Sequence, residues 1–292
     1  MRVLIIANPI VGINRDKRAV IQKIASSIID KGGNVDITYT MKPGVGNKHS
    51  SRAALEGYDA VYAAGGDGTI NDVASGLINR PTPLGIIPLG TGNGLARALG
   101  IPFETDKLLE MLLAFRTTAI DVGKISSRFF LATAGLGYDA SIAYDFNLQQ
   151  KSWRKLHTYF FLAVKHYFMK NSENLTLIIN GKEIKRKVFA LTATNTSQYG
   201  GGAIIAPQAD PRSGTLIAVL IPKFNIFQAI PAVIKLFNGS INKFHGIEYY
   251  EFETMKIIRE KAGLYHVDGE AFEDSATTNV KVLPHSLNII TP

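Results

Sequence analysis

The sequence predicts an α/β chain: an open, Rossmann-like domain over residues 1–120, then a second, β-rich, sandwich-like domain over residues 121–292. Three observations carry this. Up to Thr118, apolar runs alternate with helical periodicity and glycine turns, the grammar of a parallel sheet covered by helices. Two glycine turns, GGDGT and GTGNG, follow consecutive apolar runs within residues 61–97. After Thr118 the apolar runs become short and closely spaced, the pattern of antiparallel layers.

Taken in order, RVLIIA at 2–7 reads as a first parallel strand, stopped by Asn8-Pro9 because proline removes a ladder donor. After a loop with Gly12, apolar residues Val20, Ile21, Ile24, Ile28 and Ile29 recur at helical spacing until Gly32-Gly33. Residues 35–40 form a second strand, 41–49 a loop and 50–56 a short helix. A third strand starts at Val61, a helix spans 69–78, a strand 84–89 and a short helix 93–99. Residues 104–115 read as an amphipathic helix with acids in its first turn. Paired strands at 120–123 and 129–133 open the second domain, followed by a mostly helical stretch at 137–170. Strands are predicted at 174–180, 184–193, 215–221, 246–258, 262–267 and 277–283, with a helix at 224–237 and a hairpin turn at Asn180-Gly181. The last dozen residues are left open between packing on the second domain and returning to the first.

Bulk properties narrow the function. The 292 residues are 46% hydrophobic and 19% charged, with 27 glycines, which suits a globular chain of two domains. The absence of cysteine excludes disulfides, thiolate metal sites and a catalytic thiol. No run approaches the length of a membrane span, and MRVLIIANP reads as a buried strand rather than a leader. The expected location is the cytoplasm, with peripheral contact to a membrane. The net charge of +8 favours an anionic partner, but no dense basic run marks nucleic acid. The chain lacks HExxH, GxSxG and GxxxxGK[ST], and its six histidines show no metal-ligand spacing.

The chemistry sits at the glycine turns. A turn that opens a helix presents unpaired N–H groups to an anion, and glycine lets backbone approach a ligand closely. Two such turns in tandem, carrying Asp67, Thr69, Thr91 and Asn93, point to a polyphosphate. In an open α/β sheet the ligand lies outside the carboxyl ends of the strands, where Asn8 and Thr40 are also expected. Asp67 beside phosphate needs a cation between them or a part in orienting the transferred group; capping the next helix is the plainer alternative. Thr69 is expected to cap that helix, Asn93 to bind phosphate or close its loop, and Arg97 to meet an anion or stay solvated. In HVDGEAFE, Asp268 and Glu270 flank Gly269. Alone this is a common acidic turn; in a phosphoryl-transfer enzyme it would supply the base that the acceptor hydroxyl needs. The aromatic and basic stretch from Trp153 to Lys170 suits either a core or a lipid surface.

Together, GGDGTINDVASGL, PLGTGNGLARALGIP, NPIVG, AGLGYDA, the glycine run at 200–202, ADPRSGTL and VDGE resemble the diacylglycerol kinase catalytic domain. The whole chain is similar to bacterial soluble lipid kinases of the diacylglycerol/sphingosine kinase superfamily. The GGDG core is also shared with NAD kinases and 6-phosphofructokinases, so that motif alone does not name a substrate. The resemblance implies ATP between an α/β domain and a β-rich domain, Mg2+ as cofactor, and a lipid acceptor reached at the membrane surface. It assigns the nucleotide to Asn8, Thr40, Gly66, Asp67, Gly68, Thr69, Thr91, Gly92 and Asn93. It gives Asp67 a part in phosphate and Mg2+ chemistry, makes Asp268 the base with Glu270 beside it, and places an accessory metal at Asp210. Three departures bear on it: Ser213 replaces an aspartate in the accessory turn, Asp72 replaces a glutamate, and Gly94 replaces an aspartate. A kinase of a soluble hydroxyl compound and a nucleotide-binding regulatory protein are the alternatives. Neither the choice of lipid nor the oligomeric state, a homodimer included, is readable.

Overall fold

The computed structural model describes residues 1–8, 15–40, 42, 44–148 and 156–292. The expectations for the Gly12 loop, for NPIVG beyond Asn8, and for Lys151, Trp153, Arg154 and Lys155 lie outside the described residues. The chain divides into two compact units, Met1–Ile120 with His285–Pro292, and Asp121–Pro284.

The first unit contains β1 (Arg2–Ala7), α1 (Arg15–Asp30), β2 (Asn34–Tyr39), α2 (Val45–Leu55), β3 (Ala60–Gly65), α3 (Asp67–Ser75), β4 (Leu84–Pro88), α4 (Gly94–Ala98) and α5 (Thr105–Ala114). Its strands run parallel in the order β2-β1-β3-β4. Ala7 pairs with both Tyr39 and Ala64, and Gly65 with Pro88, so the four carboxyl ends are level. β3 and β4 are buried along their whole length, as a parallel sheet covered on both faces requires, whereas β2 is the exposed edge. Ile21, Ile24 and Ile28 of α1 and Ile70, Val73 and Ala74 of α3 supply the buried stripes.

Two helix starts differ from the sequence pattern. α3 begins at Asp67, not Thr69, because extended Gly66 takes the cap position; Thr69 is therefore the third helical residue and not the cap. α2 begins at Val45, five residues before Ser50, after Gly44 turns the chain at positive φ. Its first N–H groups are received by a distant side chain: Gly46 N donates to Asp72 Oδ2 at 2.9 Å and Asn47 N to Asp72 Oδ1 at 3.4 Å. No local signal announces a cap supplied from another helix.

The second unit is a sandwich of two antiparallel layers. Its strands are β5 (Thr117–Ile125, entering from the first unit), β6 (Arg128–Phe130), β7 (Thr133–Gly137), β8 (Glu173–Ile179), β9 (Lys182–Val188), β10 (Ala190–Thr194), β11 (Gln198–Gly200), β12 (Ala203–Ile204) and β13 (Leu216–Ile221). They continue with β14 (Glu248–Phe252), β15 (Thr254–Arg259), β16 (Gly263–Val267), β17 (Glu270–Asp274) and β18 (Thr277–Ile290). Helices α6 (Tyr138–Leu148), α7 (Leu156–Met169) and α8 (Ile226–Phe237) complete it. One layer runs β14-β13-β10-β7-β16-β17; the other is β18-β15-β8-β9. Leu177, Ile257 and Val280 of one layer and Leu191, Leu216 and Tyr265 of the other share one core. The runs at 184–193 and 246–258 are each two strands, broken at Phe189 and Glu253, because the chain changes layer there. β18 outruns its expected end at 283: its last residues lie in the first unit, with Ile289 in parallel register with Leu84.

Candidate functional site

In the first unit, the level carboxyl ends place Asn8, Thr40, the 66–69 turn and the 90–93 turn along one edge of the sheet. The two glycine turns press against each other. A Cβ on Gly90 would stand 2.5 Å from Gly66 Cα, and one on Gly92 would stand 3.1 Å from Asp67 Oδ2. Only glycine permits the first approach. Leu89 N donates to Gly65 O at 2.8 Å, locking the turns at their roots. The first-turn N–H groups of a helix have no intrahelical acceptor, so α3 offers donors at this edge.

The side chains divide into those that build the cradle and those that line it. Asn93, at φ 50 and 3% exposed, closes its own loop: its Oδ1 accepts from Gly90 N at 3.0 Å and its Nδ2 donates to Gly90 O at 2.8 Å. Asn8 Nδ2 donates to Thr69 Oγ1 at 3.3 Å, tying the end of β1 to α3. Thr40 is buried, and its N–H is held by Ala7 O at 2.9 Å. Asp67, Gly68 and Thr69 are half-buried and Thr91 is exposed. Arg97 stacks on the Phe103 ring at 4.6 Å and donates to Gly92 O at 3.2 Å. Lys17, which the motifs did not single out, extends from the first turn of α1 and donates from Nζ to Leu89 O at 2.6 Å. A lone lysine in a helix gives no pattern to find.

In the second unit, Asp268 and Gly269 both have positive φ, 46° and 85°, and form the two-residue turn between β16 and β17. The Asp268 carboxylate accepts three backbone N–H groups: Leu131 N on Oδ2, and Ala132 and Thr133 N on Oδ1, each at 2.9 Å. It is thus both the turn residue of the plain reading and a carboxylate held in one orientation. Glu270, first residue of β17, is exposed. Asp210 is also exposed and is bound by its neighbour, Arg212 Nε donating to Oδ1 at 3.0 Å; Ser213 Oγ lies 3.1 Å from Thr215 Oγ1. The buried carboxylate reaching this turn is instead Asp121, whose Oδ2 accepts from Gly214 N at 2.7 Å. No cluster of three or more metal-ligating side chains occurs among the described residues.

A further group joins residues of motifs that the sequence leaves separate, Asp139 of AGLGYDA and His266 of HVDGEAFE. Asp139 Oδ2 accepts from Thr192 Oγ1 at 2.9 Å and Tyr199 OH at 3.3 Å, and lies 3.2 Å from His266 Nε2. His266 is 4% exposed, and its Nδ1 has no hydrogen-bond partner among the described residues. Gly135 must be glycine here, since a Cβ would stand 2.3 Å from Asp139 Oδ2. Thr192 comes from β10 and His266 from β16, both paired with β7, while Asp139 comes from the first turn of α6 and Tyr199 from β11, so their sequence spacing carries no signal.

Comparison with known proteins agrees over both units. Residues 2–125 match the diacylglycerol kinase catalytic domain, and residues 132–291 the YegS C-terminal NAD kinase beta sandwich-like domain. A diacylglycerol kinase of Bacillus subtilis (strain 168) is 30% identical over 92% of this chain and 89% of its own length. One of Staphylococcus carnosus (strain TM300) is 24% identical over 100% of this chain and 95% of its own. The crystal structure of a diacylglycerol kinase from Bacillus anthracis str. Sterne superposes with a TM-score of 0.79 at 20% identity, covering 100% of this chain and 97% of that one.

Proposed function

The chain belongs to the diacylglycerol kinase family, and from that premise we propose that it transfers the γ-phosphoryl group of ATP to a lipid hydroxyl, that of diacylglycerol or a related lipid, reached at a membrane surface. The observation that carries the reading is the pair of interlocked glycine turns at the level strand ends, with Asp67 between them and Lys17 beside them. Phosphoryl transfer asks a protein chiefly to position phosphates and to neutralise their charge. The α3 N–H donors, the Gly90–Asn93 loop and Lys17 are suited to the β- and γ-phosphates, while Asn8 and Asn93 also hold the shape of the cradle that meets the nucleotide. Thr91 and Gly92 line it.

Mg2+ would be held by Asp67 together with phosphate oxygens; a hard cation takes that donor set, and the half-buried carboxylate beside Gly92 fits it. When bound, the ion supplies charge neutralisation on the phosphoryl oxygens. Asp210 does not fit an accessory metal on the residues present: it is exposed, pairs with Arg212, and belongs to no cluster of three or more metal-ligating side chains among the described residues. No metal role is assigned to it.

Asp268 is assigned as general base: it takes the acceptor proton as the acceptor oxygen attacks γ-phosphorus and ADP leaves, with Glu270 beside it. The three N–H bonds on Asp268 favour one second reading. A carboxylate has about four lone-pair sites, so a group already accepting three bonds has little left for a hydroxyl. In that reading Asp268 positions residues 131–133 and exposed Glu270 takes the proton. The test is labelled ATP with Mg2+ and a panel of diacylglycerol, phosphatidylglycerol, ceramide and sphingoid bases. Transfer to a lipid supports the assignment; transfer only to a soluble alcohol, or nucleotide binding without transfer, overturns it. Glu270→Gln then separates the two bases, since only the second reading makes it as damaging as Asp268→Asn.

A further inference from the structure

Helix α8 is turned inside out. Its twelve residues, IFQAIPAVIKLF, start from a capping box in which Asn225 Oδ1 accepts from Gln228 N at 3.0 Å and Gln228 Oε1 accepts from Asn225 N at 3.2 Å. The helix start therefore needs no burial to hold it. Its outward stripe is Ile226, Phe227, Ile230, Val233, Ile234 and Phe237, at the i, i+1, i+4, i+7, i+8, i+11 spacing of one helix face, and all six are exposed. Phe227 is 84% exposed, whereas small Ala232 is the buried residue of the helix. A surface helix ordinarily shows its polar face to water; here six of the exposed side chains are large and apolar.

The flanking sequence carries one sign of charge. Residues 211–247 contain no aspartate or glutamate but hold Arg212, Lys223, Lys235 and Lys243. Helix α7 meets the start of α8 through Tyr167 OH, which donates to Phe224 O at 2.9 Å, and Lys223 Nζ donates to Lys170 O. The exposed Phe168 and Met169 end α7 beside an open groove of about 770 Å³ that Lys187, Lys223 and Ile226 also line. No helix among the described residues is long and apolar enough to cross a membrane.

We propose that the outward face of α8, with the apolar end of α7, docks this protein on an anionic bilayer, the apolar stripe lying in the interface plane and the lysines meeting lipid phosphates. The inference rests on the lipid-kinase reading and names the surface through which the acceptor is reached. A second copy of the chain is the poorer occupant. In a two-fold interface the same patch faces itself, so the positive charge of Lys223, Lys235 and Lys243 would be brought against an identical positive patch.

The test is co-sedimentation with phosphatidylglycerol vesicles, without ATP, for the parent, for Phe227→Ser/Ile230→Ser/Ile234→Ser and for Lys223→Glu/Lys235→Glu. Both variants are expected to bind at least about tenfold more weakly, a change of about 1.4 kcal/mol. Circular dichroism melts check whether each variant keeps the parent fold, and the second variant reports on docking even if the first does not fold. The serine variant should phosphorylate a short-chain, water-dispersed diacylglycerol as well as the parent while losing turnover on vesicle-embedded acceptor. Equal vesicle binding by parent and both variants overturns the docking surface. So does a parent dimer that the serine variant dissociates with vesicle binding unchanged. Failure of the parent on the dispersed acceptor would instead count against the kinase reading, independently of docking.

Discussion

At the scale of single residues, Asp268 and Gly90 are the sharpest probes of the proposed site. Asp268 adopts a left-handed backbone conformation that asparagine also tolerates, so Asp268→Asn preserves the turn. It cannot preserve all three N–H bonds, because its amide nitrogen would face an N–H donor. The expected result is a stability loss of about 1–3 kcal/mol in urea titration, with turnover falling about 10²–10⁴-fold; unaltered turnover would remove Asp268 from the chemistry. Gly90 is the sharper structural probe. Gly90→Ala forces a methyl to 2.5 Å from Gly66 Cα and 2.8 Å from Asn93 Oδ1. Overpacking of this kind costs about 1–3 kcal/mol, and ATP affinity measured by calorimetry should fall with it.

At the scale of elements, the sandwich is held across its edges as well as through its core. Arg186 of β9, an edge strand of one layer, donates to Glu248 of β14, an edge strand of the other, with Nε at 2.8 Å from Oε1 and 3.0 Å from Oε2. The hydrogen bond from Arg186 holds the Glu248 carboxyl below its ordinary range near 4.5. A lowered carboxyl contributes its full stability above the unfolded value and loses it as pH falls through the folded value. Glu248→Gln should therefore differ from the parent at neutral pH and converge with it below about pH 4. The pair is more than a third exposed, so the difference at neutral pH should stay under about 1 kcal/mol; a gap that persists in acid would contradict this origin. The return of β18 to the first unit is the larger effect. Leu287, Ile289 and Ile290 are fully buried, and Ile289→Ala should cost about 2–5 kcal/mol in a denaturant melt of the intact protein.

At the scale of the whole molecule, the two units differ in how much of their design local sequence could express. In the first unit, the alternation of apolar runs, helical periodicity and glycine turns is local, and both turns and the strand ends beside them were readable directly. Even there, the cap that Asp72 supplies to α2 and the lysine at Leu89 depend on partners 26 and 72 residues away. In the second unit, the chain changes layer at Phe189 and Glu253 within what reads as continuous strand, and nothing in a period-two pattern marks which layer a residue joins. Asp139, Thr192, Tyr199 and His266 come from a helix, two strands of one layer and the separate strand β11, and Asp268 finds its three donors more than 130 residues back. The outward-facing α8 is likewise a tertiary fact: its sequence is simply apolar, and which side of such a helix meets solvent is settled by what packs against the other. By itself the sequence determined the paired glycine turns and the acidic turn at 268–270, because glycine conformation and turn chemistry act over a few residues. Only the tertiary structure decided what orients Asp268 and which apolar face of α8 is left exposed, because these are set by contacts between residues the chain keeps far apart.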